Sequence, residues 1–360
     1  MMDISAKKTL VLAQDVVHDI VRSYGLNAIM DDLIGNLTEM IRSFDPKKTD
    51  IPIRSGFNYS SPNPGLVEWM PLYNKESDVV IKLVGYHPEN PNKYDLPTIL
   101  STISAYDTHT GHLKCIVDGV LLTSLRTGAA SAVASRLLAS PQTEVLGLIG
   151  CGAQAVTQLH ALSRVFKLKK VLIYDIDAEA MATFASRCEA LEIDVEIEIV
   201  SIEEIAAESD IICTATSIET QEGPLFSDLP TKSYLHINAV GSDFPGKIEV
   251  PLDFLKKSFV CPDFREQAVI EGECQQLLPS DIGPELNHVL KNEKNYAHIR
   301  NERSVFDSTG WALEDAVVME LFASYARKLG LGKEMEIEAI EGDAKSPYGF
   351  IKKAAMAVKN

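Results

Sequence analysis

Apolar positions along this chain change their period more than once. Over residues 11–43 they recur every three to four positions, in VLAQDVVHDIVRSYG and then in MDDLIGNLTEMIRSF, which predicts amphipathic helices. Short extended pieces follow, including VVIKLVGY at 79–86 and LKCIVDGVLL at 113–122, separated by Pro, Asn and Gly clusters. From Thr143 to about Asp263 the pattern becomes a regular alternation. VLGLIG (145–150), VLIYD (171–175), VEIEIV (195–200), IICTA (211–215), YLHINAV (234–240) and SFVCP (258–262) read as strands. The helical stretches AQAVTQLHALSRVF and AEAMATFASRCEALE separate the first of them. Apolar strands alternating with amphipathic helices predict an α/β fold, with a parallel sheet covered on both faces. Beyond about Pro279 the chain reads as helical and polar, ending in VVMELFASYARKLGLG and a charged tail.

Composition narrows the function. The 360 residues carry 34 Lys and Arg against 51 Asp and Glu, a net charge of −17, with 46% apolar residues. That length and apolar share allow two domains with full cores. The acid excess argues against nucleic acid, whose phosphates require clustered cations, and against an anionic membrane surface. No apolar run reaches the length of a transmembrane helix, and Lys7, Lys8, Asp15 and Asp19 leave too short an apolar stretch for a signal peptide. Six scattered cysteines without a CxxC pair suit reduced thiols in a cytoplasm. A soluble, cytoplasmic protein handling a small molecule is expected.

The most specific local signal is Gly150-Cys151-Gly152-Ala153-Gln154-Ala155, which follows the apolar strand VLGLI and opens a helix. In G-x-G-x-x-A the first Gly makes the tight turn and the second admits a pyrophosphate to the backbone. The small last residue lets helix and strand pack closely. The helix N-terminus then offers free N–H groups to phosphate. Asp175 ends the next strand, 25 residues after Gly150, where an acid accepts from an adenosine ribose and repels a 2′-phosphate, favouring NAD over NADP. Asp177 either shares that role or caps the following helix. The bland alternative is a tight turn in a cofactor-free domain, with Cys151 merely a small residue tolerated between glycines.

Three further places could hold substrate. Arg126 stands in SLRTGAASAVASRLLA, at the start of a small-residue helix, and can present a fork to a carboxylate. Lys82 lies within the strand VVIKLVG, and Asp243 lies in GSDFPGKIE, directly after YLHINAV. That is the carboxyl edge of the expected sheet, where open α/β sheets bind ligands, and an Asp there can move protons. Taken alone, each reads first as something plainer: Lys82 as a surface lysine, Arg126 as a structural ion pair and Asp243 as a turn or cap residue. No metal-ligand spacing such as HExxH occurs, so no metal is expected.

Together the runs EWMP (68–71), KLVGYHPENP (82–91), SLRTGAAS (124–131), LIGCGAQA (148–155), HINAVGSDFPGKIE (236–249), EGECQQL (271–277) and VFDSTGWALEDA (305–316) resemble the ornithine cyclodeaminase/μ-crystallin family of NAD(P)-linked proteins. The resemblance implies a homodimer whose chain has a Rossmann-type NAD-binding domain, residues 138–309. An α+β substrate-binding and dimerisation domain, residues 1–137 completed by 310–360, accompanies it. It implies that Arg54, Lys82 and Arg126 hold an α-carboxylate and that Asp243 shuttles a proton near the α-carbon. Thr98, Thr127, Gly150, Cys151, Gly152, Ala153, Gln154, Asp175, Asp177, Thr216, Ile237, Asn238, Ala239, Val240, Lys247 and Ser308 would line the NAD site. Met70 and Thr309 would face the substrate, although the ornithine branch carries Val in place of Thr309. Glu68, before x-Met-Pro, would receive the distal ammonium of a diamino acid; taken alone it reads as an ordinary exposed carboxylate. Glu68 and Asp243 together point to the cyclodeaminase branch. That branch converts L-lysine to L-pipecolate or L-ornithine to L-proline with loss of ammonia, through an α-imine and re-reduction. A net-turnover amino-acid dehydrogenase or ketimine reductase, and a non-catalytic binding protein, are the alternatives.

Overall fold

The computed structural model describes residues 8–227, 229–338, 345–348 and 351. Its first sheet collects β1 (Thr9–Leu12), β2 (Thr49–Asp50), β3 (Ser55–Tyr59), β4 (Gly65–Asn74), β5 (Asp78–Tyr86), β6 (Ile99–Asp107) and β7 (Leu113–Asp118). The second holds β8 (Val145–Ile149), β9 (Lys170–Tyr174), β10 (Glu196–Ile199), β11 (Ile211–Thr214), β12 (His236–Ala239), β13 (Phe259–Pro262) and β14 (Ser304–Asp307). A last strand, β15 (Lys333–Met335), returns to the first sheet antiparallel to β1.

The second sheet is parallel throughout, in the order β10-β9-β8-β11-β12-β14-β13. From β8 the chain builds outward to β10, then returns to β11 on the other side of β8. The crevice between β8 and β11 is therefore the switch point at which such sheets bind nucleotides. One face packs Leu146, Leu148, Val171 and Ile211 with the helix Ala153–Ser163, and the other packs Ile149, Leu172, Ile212 and Val305. The sequence pattern missed β14, a buried strand inserted between β12 and β13 in the stretch expected to be helical and polar. Four residues flanked by Arg303 and Ser308 are too few to display a period. The helix that follows, Ala312–Leu329, is buried over most of its length rather than polar.

The mainly antiparallel first sheet shows the period of two expected of a sheet covered on one side. Cross-strand register puts Met70, Lys82 and Ile103 on one face, beside Leu72, Val80 and Ala105. Against this face pack the helices Gln14–Tyr24, Leu26–Ser43, Val120–Leu138 and Ala312–Leu329. The expected extended run at 113–122 splits: the strand ends at Asp118 and Val120 opens a helix, its N–H bonded to Asp118 Oδ1 at 3.2 Å. An apolar strand running into a helix buried on all sides leaves no change of period to read. Arg126 consequently lies in the second turn of that helix, not at its start. A Cβ on Gly128 would stand 2.5 Å from the Thr157 carbonyl oxygen, so glycine there lets this helix press against Ala153–Ser163.

Candidate active site

A cavity of about 570 Å³ opens where the inner face of the first sheet meets the carboxyl edge of the second. Its first-sheet wall carries Arg54, Glu68, Met70 and Lys82; the helix Val120–Leu138 adds Arg126 and Thr127. Across it stand Gln154, in the first turn of the helix Ala153–Ser163, and Val240, Asp243, Lys247, Ser308 and Thr309, on the loops that follow β12 and β14.

The three cations are buried and paired. Lys82, 1% exposed, is no surface lysine; its Nζ lies 2.9 Å from Asp315 Oδ2. Burial, with Arg126 and Arg54 nearby, pulls its pKa down to about 8 despite Asp315. Arg126 donates from Nη1 to Glu314 Oε2 at 2.6 Å, and its Nε is 3.2 Å from Asp315 Oδ1. Arg54 is more fully occupied: Nη1 donates to Glu68 Oε1 at 3.0 Å, and Nε lies 2.8 Å from Glu271 Oε1. Its Nη2 bonds the carbonyls of Thr309 and Gly310. Burial alone would lower the Arg54 pKa, but Glu271, Glu68 and Asp243 outweigh it and raise it.

Two of the acids behind these cations, Glu271 and Glu314, hold their protons far more tightly than free carboxylates do. Burial pushes Glu271 up to about 8 against the pull of Arg54, with Glu68, Asp243 and Asp263 adding to the rise. Glu314 is pushed up to about 7 by burial, opposed by Arg126. Sequence reasoning assigned no role to Glu271, Glu314 or Asp315, although EGECQQL and VFDSTGWALEDA contain them. The available signal was an adjacent acid pair, Glu314-Asp315, inside an otherwise apolar helical stretch, because a buried charge needs a partner. Asp243 is half-exposed in the cavity wall, 3.4 Å from Lys247 Nζ, which also lies over the Tyr86 ring. The Thr309 hydroxyl is turned into the scaffold, donating to Asp263 Oδ1 and accepting from Gln267 Nε2, both at 3.0 Å.

On the nucleotide side, Gly150 adopts φ +96°, and a Cβ there would lie 2.5 Å from the Ala215 carbonyl oxygen. The turn itself therefore requires this glycine. Gly152 differs: its φ is −76° and a Cβ would meet nothing within 4 Å. The protein's own packing leaves that space open, as a bound pyrophosphate demands. The Ser308 hydroxyl lines the cavity, buried and without a hydrogen-bond partner among the described residues. Both observations fit a dinucleotide lying over Gly152 toward Ser308. Gly150→Ala should therefore cost more than about 1 kcal/mol of stability. Gly152→Ala should melt as the wild type does yet weaken dinucleotide binding by about tenfold or more. Melting curves and a binding titration check the pair.

Other residues expected around the cofactor are not among the lining of this cavity. Asp177 caps the helix Ala178–Cys188, accepting from the N–H groups of Glu179 and Ala180. Asp175 accepts from the Cys151 N–H at 2.6 Å, which braces the glycine turn from β9. Cys151 itself is buried, while Ala153 opens the helix after that turn. Ile237 and Asn238 are fully buried within β12, and Asn238 Nδ2 donates to Ser135 Oγ at 2.9 Å rather than facing the cavity. The Ala239 carbonyl accepts from the Ser308 N–H. The Thr216 N–H and hydroxyl both go to Glu249 Oε1. Thr98 is engaged through its carbonyl with the His87 N–H, and its neighbour Ile99 reaches the cavity wall instead. Among the described residues no cluster of His, Cys, Asp or Glu could hold a metal, and no helix is long and apolar enough to cross a membrane.

A parallel sheet with a glycine turn at its switch point, walled by a second sheet bearing buried cations, defines a dinucleotide-dependent class of protein acting on small acids. Residues 15–328 match the ornithine cyclodeaminase/mu-crystallin family, and the chain belongs to it. It is 39% identical over 344 residues to the L-lysine cyclodeaminase of Streptomyces rapamycinicus, covering 95% of this chain and 100% of the relative. A solved lysine cyclodeaminase, described for its recognition of L-lysine, L-ornithine and L-2,4-diaminobutyric acid, superposes with a TM-score of 0.91 at 46% identity, over 95% of this chain and 99% of that one. An archaeal alanine dehydrogenase dimer with bound NAD superposes at 0.81 and 30% identity, over 92% and 100% of the two chains.

Proposed function

We propose that the protein is an NAD-dependent cyclodeaminase that converts L-lysine to L-pipecolate, and by the same route L-ornithine to L-proline, with release of ammonia. The observation that carries this reading is one cavity holding Lys82 and Arg126 together with the carboxylates Glu68 and Asp243. Such a set matches an α-carboxylate and a second amine on one molecule. Lys82 and Arg126 each retain N–H groups beyond their pairing with Asp315 and Glu314, and these bind the α-carboxylate. Glu68 receives the distal ammonium. NAD, which the Gly150–Gly152 turn and Ser308 would hold, would supply a reversible hydride acceptor for the α-carbon and would not be consumed. Asp243 takes the proton from the distal ammonium, freeing its lone pair to attack the α-carbon, from which ammonia departs. Holding both ends of the substrate makes closure unimolecular, an advantage of about 7 kcal/mol or more where alignment is good.

The test is incubation with catalytic NAD⁺ and L-lysine or L-ornithine separately. The expected result is ammonia and L-pipecolate or L-proline in equal amounts, many per NAD, without steady change in absorbance at 340 nm. A steady 340 nm change proportional to turnover would instead make the protein a dehydrogenase.

Residues 138–309 form the NAD-binding domain in this reading, and 1–137 with 310–360 the domain for substrate and dimerisation. The outward face of the first sheet supports a homodimer: Phe57, Trp69, Leu83 and Leu100 share it, with Phe57 69% exposed and packed edge-on against Trp69. Apolar side chains grouped on one exposed face mark a surface for protein association. Leu83→Arg on that face should halve the mass measured by light scattering. A cytoplasmic location suits the six free, buried cysteines.

A further inference from the structure

Lys82 and Arg126 come from a strand and a helix that share no local sequence, yet one carboxylate holds both. Asp315 Oδ2 lies 2.9 Å from Lys82 Nζ, and Asp315 Oδ1 lies 3.1 Å from the same Nζ and 3.2 Å from Arg126 Nε. Glu314, the preceding residue, takes Arg126 Nη1 at 2.6 Å. All four side chains are nearly inaccessible, at 2% for Lys82, 1% for Asp315, 7% for Arg126 and 1% for Glu314. The packing leaves Arg126 little freedom, since a Cβ on Gly310 would stand 2.9 Å from Nη1 and 3.0 Å from Nη2. The arrangement still leaves donors over. Lys82 has one carboxylate partner for three N–H groups, and Arg126 Nη2 makes no hydrogen bond among the described residues.

We propose that Asp315 is the positioning residue of the carboxylate subsite: it grips Lys82 and Arg126 together and aims their remaining N–H groups at the substrate's α-carboxylate. Arg54, committed to Glu68, Glu271 and two carbonyls, takes a smaller part in that contact. The inference rests on the amino-acid reading above but not on the second amine, because any α-amino acid presents the same carboxylate.

The charged groups facing Lys82 are Asp315 from the helix Ala312–Leu329, Arg126 from the helix Val120–Leu138, and Arg54 from the segment before β3, while Glu314 faces Arg126. Asp315 is the group that raises the proton affinity of Lys82, while both arginines lower it. Loss of the Asp315 charge therefore lets Lys82 shed its proton at lower pH.

The test is Asp315→Asn, assayed with whichever amino acid the wild-type enzyme turns over, so that failure of the diamino-acid reading does not disable it. KM for the amino acid should rise about tenfold or more while NAD affinity stays as in the wild type. The alkaline limb of kcat/KM should move toward lower pH by about one unit. Should that variant not fold, Asp315→Glu keeps the charge and lengthens the arm. Its KM should rise while its alkaline limb stays in place. An unchanged KM in the folded variant, or an alkaline limb unmoved in Asp315→Asn, overturns the proposal.

Discussion

Asp243→Asn should lower kcat for ammonia release by about 100-fold or more, the usual scale for removing a positioned proton carrier. Asparagine has the same shape but cannot take the proton of the distal amine. The surrounding loop is held by other groups. The Gly241 N–H donates to Glu249 Oε2 at 2.9 Å, Ser242 Oγ to the Lys247 carbonyl at 2.7 Å, and the Gly246 N–H to Gln275 Oε1 at 2.8 Å. The variant should therefore keep its melting temperature and its NAD affinity, so the loss lies in the chemistry. Ammonia release with L-lysine at saturating NAD reads it. A variant within threefold of wild type would remove Asp243 from proton transfer.

Arg126→Leu should cost about 3–5 kcal/mol of stability, because it strands buried Glu314 and weakens the neutralisation of Asp315. The cost should depend on pH with a definite sign. Glu314 in the folded protein already holds its proton up to about 7, above the value of an unfolded carboxylate. Over the interval between those two values the native state binds the extra proton, so stability falls as pH rises and levels off above the folded value. Arg126 opposes that rise in proton affinity, so its removal extends the fall to higher pH. The gap between wild type and variant should therefore be wider at pH 8 than at pH 6 in urea melts. An equal gap at both would mean that Glu314 is not the group left exposed to the loss.

Much of the nucleotide half could be read from the sequence, because fully buried parallel strands announce themselves as unbroken apolar runs and G-x-G-x-x-A has a backbone reason at each glycine. β14 escaped because four residues between polar neighbours carry no period. The substrate side was harder for a different reason. Lys82 looks like a surface lysine until Asp315, 233 residues away, is brought beside it. No local pattern encodes such a pairing; resemblance to a family supplied a carboxylate-binding role for the cations but left their counter-acids without roles. Asp177 turned out to cap its helix, and Asn238 to reach Ser135, because short polar side chains satisfy the nearest buried backbone or hydroxyl group first.

The helix Val120–Leu138 bears on how such proteins can be recombined. It precedes residue 138, the boundary of the proposed substrate domain, and it carries Arg126 and Thr127 into the cavity. Yet Gly128 is moulded to Thr157, and Ser135 bonds Asn238 of β12. A chimera joined at residue 138 would cut between two surfaces shaped for each other, even if each half kept its own residues intact. Crossovers that keep 120–163 from one parent, with β12 matched to it, would carry the interlocking contacts across whole. Substrate preference is therefore more safely exchanged through β3–β5 than by swapping the entire N-terminal half.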